Sequence, residues 1–439
     1  MRRRLSLLPA LLAATLGGLI VSARPAAALA TITVINNDGP GEGFNDPAPF
    51  TPVGGNPATT LGQARLAAFR YAALIWGSYL NSSVEIQISA RMDPLSGNAT
   101  TAVLGQAGSA TVHRNFPNAP LANTWYSQAL ANALANADLD PATPDITARF
   151  NSAIDGPILG TTDWYYGFDG NPGANVDFVS VVLHELAHGL GFQTFANTAD
   201  GSKLSGLDDT YLKHLECHGA NPPAYGERTD AQRVACSISD PNLHWVGSHT
   251  LSAAVTLPLT AGFSGGHVQM NAPNPLQPGS SVSHFSTAAF PNQLMEPTYT
   301  GANHSVGLAL RLLQDIGWSL QARVCVPSDT VLCLNQGRFI VEADWRTSTG
   351  RSALAHAIPL TADTGYFWFF DAANVEVVTK VLDACSINAR YWVFSAGLTN
   401  VEVVLRVTDT ETGIVRAYTN PQGTAYNPQQ DANAFATCP

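Results

Sequence analysis

Apolar residues recur at helical spacing along several stretches of the chain, and each stretch predicts an element. Leu61, Ala64, Ala68, Tyr71, Leu74 and Ile75 predict an amphipathic helix over 60–80. Val179, Val182, Leu183, Leu186 and Leu190 predict another, whose opposite side carries Val181, His184, Glu185 and His188. Asn175 is its expected N-cap, with Asp177 in the first turn, and Gly189 and Gly191 are its expected stop. A shorter helix is expected over 128–137, and Leu308, Leu310, Leu312, Leu313 and Ile316 predict one over 307–320. Alternation predicts strands at 31–35 and 84–88, and Ile146, Ala148 and Phe150 predict one over 145–154.

Residues 193–283 show no long period and are rich in Pro, Gly, Asn and Ser. They read as a loop-rich insertion, with one short helix over 208–217. From Arg323 onward the texture changes to short alternating runs, such as Phe339 to Trp345 and Val401 to Val407, separated by turn residues. The aromatic run Tyr366-Phe367-Trp368-Phe369-Phe370 fits the core and rim of a sandwich better than a ligand platform. The order of elements predicts an α+β domain over 31–320, followed by a smaller all-β sandwich-like domain over 321–439.

Composition narrows the setting. Arg2, Arg3 and Arg4 precede an apolar run from Leu5 to Val21, and Ala28-Leu29-Ala30 offers a small-residue cleavage site. Residues 1–30 therefore read as a signal peptide and the protein as secreted or periplasmic. No other run suggests a transmembrane segment. The formal net charge of −11 argues against nucleic acid as a partner. Six cysteines in an exported chain suggest three disulfides, and proximity favours Cys217–Cys236, Cys325–Cys333 and Cys385–Cys438.

The chemistry concentrates in His184-Glu185-Leu186-Ala187-His188. On a helix, residues four apart share a face, so His184 and His188 can hold one zinc ion with Glu185 beside them as general base. The bland alternative is a helix whose histidines are ordinary side chains. The apolar helix before the motif and Gly189-Leu190-Gly191 after it weigh against that alternative. A catalytic zinc wants a third protein ligand. A later glutamate would make a thermolysin-like site, whereas the compact metzincin pattern needs a histidine where Thr194 stands. His214, His218, His244, His249, His267, His284 and His304 remain as candidates, the first two reading as surface histidines beside a disulfide.

Four ordered features resemble the leishmanolysin family of metzincins. They are His184 through Gly191-Phe192, Ser283-His284-Phe285, Leu294-Met295-Glu296-Pro297, and the helix from Leu308 to Gly317-Trp318. That family inserts a long segment before its third histidine and follows it with a Leu-Met-x-Pro turn. The resemblance covers roughly 176–318. It implies a zincin/metzincin-like catalytic domain, with His284 as third ligand and Met295 in the turn beneath the metal. It does not extend to the family's propeptide cysteine, since the first cysteine here is Cys217.

The expected function is that of a secreted zinc endopeptidase acting on protein or peptide substrates. The alternative is a binding or adhesive protein whose C-terminal β domain does the work beside an inactive protease-like domain. A substrate peptide would pair with an edge strand near Ile146 and Ala148. Tyr299 reads as structural. Asp138-Leu139-Asp140 and Asp169-Gly170-Asn171 could hold calcium but fit solvated turns better.

Overall fold

In the computed structural model, which describes residues 30–256, 259–320, 325–411 and 413–438, apolar side chains gather into two hydrophobic cores. All but Ala30 of the expected signal peptide lies outside the described residues. The first core begins with β1 (Ile32–Asn36), α1 (Leu61–Tyr79), β2 (Ile86–Asp93) and β3 (Gly105–Ser109). The two-residue strands β4 (Val112–His113) and β5 (Tyr126–Ser127), then α2 (Gln128–Ala135) and β6 (Ile146–Asn151), follow. A second short pair, β7 (Trp164–Tyr165) and β8 (Val176–Asp177), leads into α3 (Phe178–Gly189).

The principal sheet has the order β1-β2-β6-β3. The first three strands are parallel, and β3 runs antiparallel along β6. This corrects the expected substrate edge: Ile146 and Ala148 lie on an interior strand paired on both sides, and both are buried. The edge is β3, whose Gly-Gln-Ala-Gly-Ser lacks the β-branched and aromatic residues that announce a strand. Its pairing to β6 makes it one. An edge-to-face series Phe69–Phe150–Phe178 joins α1, β6 and α3, with centroids 5.4 and 5.1 Å apart. At Gly189, α3 approaches β6 so closely that a Cβ would lie 2.4 Å from Ile146 Cγ2.

The insertion is more ordered than its composition suggests. It contains β9 (Leu215–Cys217), α4 (Asp230–Cys236), β10 (Leu243–Trp245), α5 (Ser248–Thr256), β11 (Phe263–Ser264) and β12 (His267–Gln269). These strands form an antiparallel sheet in the order β11-β12-β10-β9. Two or three residues are too few to display a period, so the pattern hides them. The helix expected over 208–217 is a single 3-10 turn at Leu212–His214 followed by β9. The last helix of this core, α6 (Gly307–Asp315), has Ile316 as its C-cap, next to the expected stop at Gly317-Trp318.

The second core lies between two antiparallel sheets. β13 (Leu332–Leu334), β14 (Phe339–Arg346) and β15 (Ser352–Leu354) belong to one, and β16 (His356–Pro359), β17 (Thr364–Trp368), β18 (Val377–Ala384) and β19 (Arg390–Gly397) to the other. β20 (Glu402–Asp409) and β21 (Val415–Asn420) then join the first, and β22 (Gln429–Phe435) the second. Phe367 and Phe369 are buried in this core, while Phe370 is exposed. The three disulfides pair as proximity predicts, Cys217–Cys236, Cys325–Cys333 and Cys385–Cys438. Among the described residues, no helix is long and apolar enough to cross a membrane. The architecture is α+β.

Candidate metal centre

The helix that carries His184 and His188 is fastened at both ends. At its start Asp177, and not Asn175, is the N-cap. Its Oδ1 accepts from Ser180 N–H and Ser180 Oγ, both at 2.7 Å, and from His304 Nε2 at 2.9 Å. Tyr299 supports the same corner by accepting from Asp177 N–H at 3.0 Å, a structural place as expected. In the middle, Trp76 Nε1 donates to Leu183 O at 2.9 Å. At the end, Trp318 Nε1 donates to Leu190 O at 2.8 Å, satisfying a carbonyl that the helix leaves open. Gly191 then turns the chain at φ +117°, a conformation that disfavours any side chain. That turn brings the Phe192 carbonyl back toward His188.

Three imidazoles converge. The Nε2 atoms of His184, His188 and His284 form a near-equilateral triangle with sides of 3.1, 3.2 and 3.2 Å. Each ring donates its other nitrogen to a backbone carbonyl: His184 Nδ1 to Leu294 O at 2.8 Å, His188 Nδ1 to Phe192 O at 2.8 Å, and His284 Nδ1 to Ser280 O at 2.9 Å. A carbonyl can only accept, so each Nδ1 carries the proton and each Nε2 presents a lone pair. Burial drives His184 down to about 4 and His188 to about 3, with the neighbouring His184 adding to the latter. His284 is pushed well below its ordinary value by burial and by the other two rings. The rings are therefore neutral, and their lone pairs point at one another with no proton between them.

That donor set suits a cation. Zinc–nitrogen bonds of about 2.0–2.1 Å at tetrahedral angles place coordinated nitrogens about 3.3 Å apart. The observed triangle is close to that spacing, and the carbonyls behind the rings fix their orientation as supporting partners of metal-bound histidines do. Glu185 is buried beside the triad. Burial pushes its carboxyl up to about 8, and the Ala107 backbone N–H pulls the other way. A cation among the rings would favour the ionised form.

The triad and Glu185 open onto a cleft of about 950 Å³, whose lining includes Gly105, Gln106 and Ala107 of β3 together with Ser280, Leu294 and Tyr299. Met295 is fully buried in the first core, and its carbonyl accepts from Phe285 N–H at 2.9 Å, next to His284. The other candidate histidines lie elsewhere. His304 donates to the capping carboxylate of Asp177, His214 packs on Trp245 with centroids 5.1 Å apart, and the His249 backbone N–H donates to Asp315. His218, His244 and His267 cluster on the insertion sheet. Asp138 and Asp169 are engaged in turn hydrogen bonds, to Asp140 N–H and Asn171 N–H.

Sequence reasoning misses the carbonyls of Phe192, Ser280 and Leu294, because backbone acceptors leave no mark in residue identity. Phe192 and Leu294 stand inside recognised motifs, but for their side chains and neighbours and not for their carbonyls. No family model, no curated protein and no solved structure matches this chain.

Proposed function

We propose that the protein is a secreted zinc-dependent endopeptidase with a metzincin-like catalytic domain. The observation that carries this reading is the convergence of His184, His188 and His284, the last from almost a hundred positions downstream, with a buried glutamate alongside. Zinc bound there would polarise a substrate carbonyl and bring a water molecule's pKa near neutrality. Glu185 takes the proton from the attacking water and returns it to the leaving nitrogen. A cation among the rings would keep this carboxyl ionised for the first of these steps. The outer side of β3 offers an extended substrate a backbone to pair with, since β3 ends its sheet. Three disulfides favour an oxidising compartment, in keeping with an exported enzyme.

Casein cleavage by the purified protein tests this directly. The expected result is hydrolysis that stops on dialysis against a chelator and returns with one equivalent of zinc. Cleavage that survives complete removal of metal, or no cleavage of any protein by the zinc-loaded chain, would refute the reading.

A second expectation follows from the close approach of β3 to α3. A Cβ on Gly105 would lie 3.0 Å from Glu185 Cγ and 3.0 Å from Phe150 Cδ1. Gly105→Ala should therefore displace the carboxylate. Relieving such a contact takes a few tenths of an ångström, and a whole ångström of misplacement costs up to about 100-fold in rate, so kcat should fall by less than about 100-fold while zinc content stays the same. Wild-type kcat in the variant would mean that the carboxylate's placement does not matter.

A further inference from the structure

The insertion sheet holds a second constellation of ligand residues that takes no part in the chemistry above. Alternation explains it. Leu215, Cys217, Leu243, Trp245 and Val268 point into the first core. The intervening residues Glu216 and His267, and His218 just past β9, share the opposite face with His244. The register sets Glu216 across from His244, and His244 across from Gln269, which lies two residues from His267. Three strands thus deliver a carboxylate and three imidazoles to one patch.

The geometry is specific. His218 Nε2 and His267 Nδ1 lie 2.8 Å apart, and Glu216 Oε2 lies 4.0 Å from His218 Nε2. One ligand atom from each of the three lies within 4.8 Å of the other two. His244 serves as a brace. Its ring stacks on His218 with centroids 3.7 Å apart and planes 18° apart, and its own nitrogens are taken up by Asn242 O and Ser264 Oγ, both at 3.0 Å. The ring plane of His218 is thereby fixed, as a supporting partner fixes a ligand. All three candidate ligands are only half-buried, so the patch is open to an ion from solvent.

We propose that Glu216, His218 and His267 form a second metal site, for a divalent transition ion. Two imidazoles and a carboxylate favour copper, nickel or zinc over calcium or magnesium. The 2.8 Å separation corresponds to ligands about 90° apart, the angle of tetragonal copper(II) or nickel(II), whereas tetrahedral zinc separates its nitrogens by about 3.3 Å. Copper(II) is therefore the expected preference. The ion would tie the end of β9 to β12. From β12 the chain continues to Met270, bridged to Phe285, and Asn271 N–H donates to His284 O at 2.9 Å. The second site thus braces the segment that presents the third imidazole of the triad, yet its existence does not depend on what the triad binds.

The test compares copper retained after dialysis by the zinc-loaded wild-type chain with that retained by His218→Gln, His267→Gln and His249→Gln. The wild type and His249→Gln should each keep one more equivalent than the other two variants. The electron paramagnetic resonance spectrum of that copper should be tetragonal, with coupling to two nitrogens. Gln on this solvent-facing side keeps the fold, which circular dichroism checks. Equal copper in all four proteins, or a wild-type spectrum without two-nitrogen coupling, overturns the site and leaves the 2.8 Å contact as a plain histidine–histidine hydrogen bond.

Discussion

Glu185→Gln should abolish most proteolysis while leaving the metal in place. The amide keeps the shape of the carboxyl but cannot take a proton from water, and general-base assistance contributes about 10²–10⁴-fold. kcat is therefore expected to fall by about that factor, with zinc content by elemental analysis unchanged from wild type. The same variant carries a stability signature. Burial raises the carboxyl to about 8 from an ordinary 4.5, so the metal-free folded state holds this proton more tightly than the unfolded chain. The sign follows: its contribution to stability is most favourable below about pH 4.5 and is lost as pH rises toward 8. Gln removes that loss. Metal-free Glu185→Gln should gain more in melting temperature over metal-free wild type at pH 8 than at pH 5. Substantial hydrolysis by the variant would remove Glu185 from the mechanism.

His284→Ala should instead cost the metal. Two nitrogens on adjacent turns of α3 remain, but the third corner of the triangle is gone. Losing a partner that merely supports a ligand weakens metal binding about 10–100-fold, and losing the ligand itself should exceed that. Zinc affinity measured by competition with a chromogenic chelator is the readout. Zinc should raise the melting temperature of the wild type and not of this variant, because such an increase is binding free energy expressed as stability. His304→Ala is the informative contrast. His304 donates to Asp177 at the start of the helix, so its loss should lower the melting temperature with little change in zinc affinity. If His304→Ala abolished binding and His284→Ala did not, the ligand set would be wrong.

Legibility differed from element to element for physical reasons. α1 and α3 are long and periodic, and their expected extents agree with the structure to within a few residues at each end. β3 could not be read from Gly-Gln-Ala-Gly-Ser, whose residues suit a loop equally well, and so the cleft's edge was misplaced onto β6. The insertion sheet was hidden because its strands are two or three residues long. His218 and His267 are 49 positions apart and meet only through the β9-β10-β12 register. Neither residue carries a local signal of the other.

The sequence alone determined the pair His184 and His188 with Glu185 between them, because helical geometry makes a four-residue spacing a statement about space. It also favoured the disulfide pairs that the structure shows, since near neighbours along the chain meet at little entropic cost. The motif around His284 pointed to it as the third corner, and the tertiary structure brings it to the other two. Only the tertiary structure decided which strand borders the cleft and which carbonyls set the rings' protons. Those outcomes depend on contacts between residues far apart in sequence, where the core's packing and backbone pairing, and not local preference, fix what lies next to what.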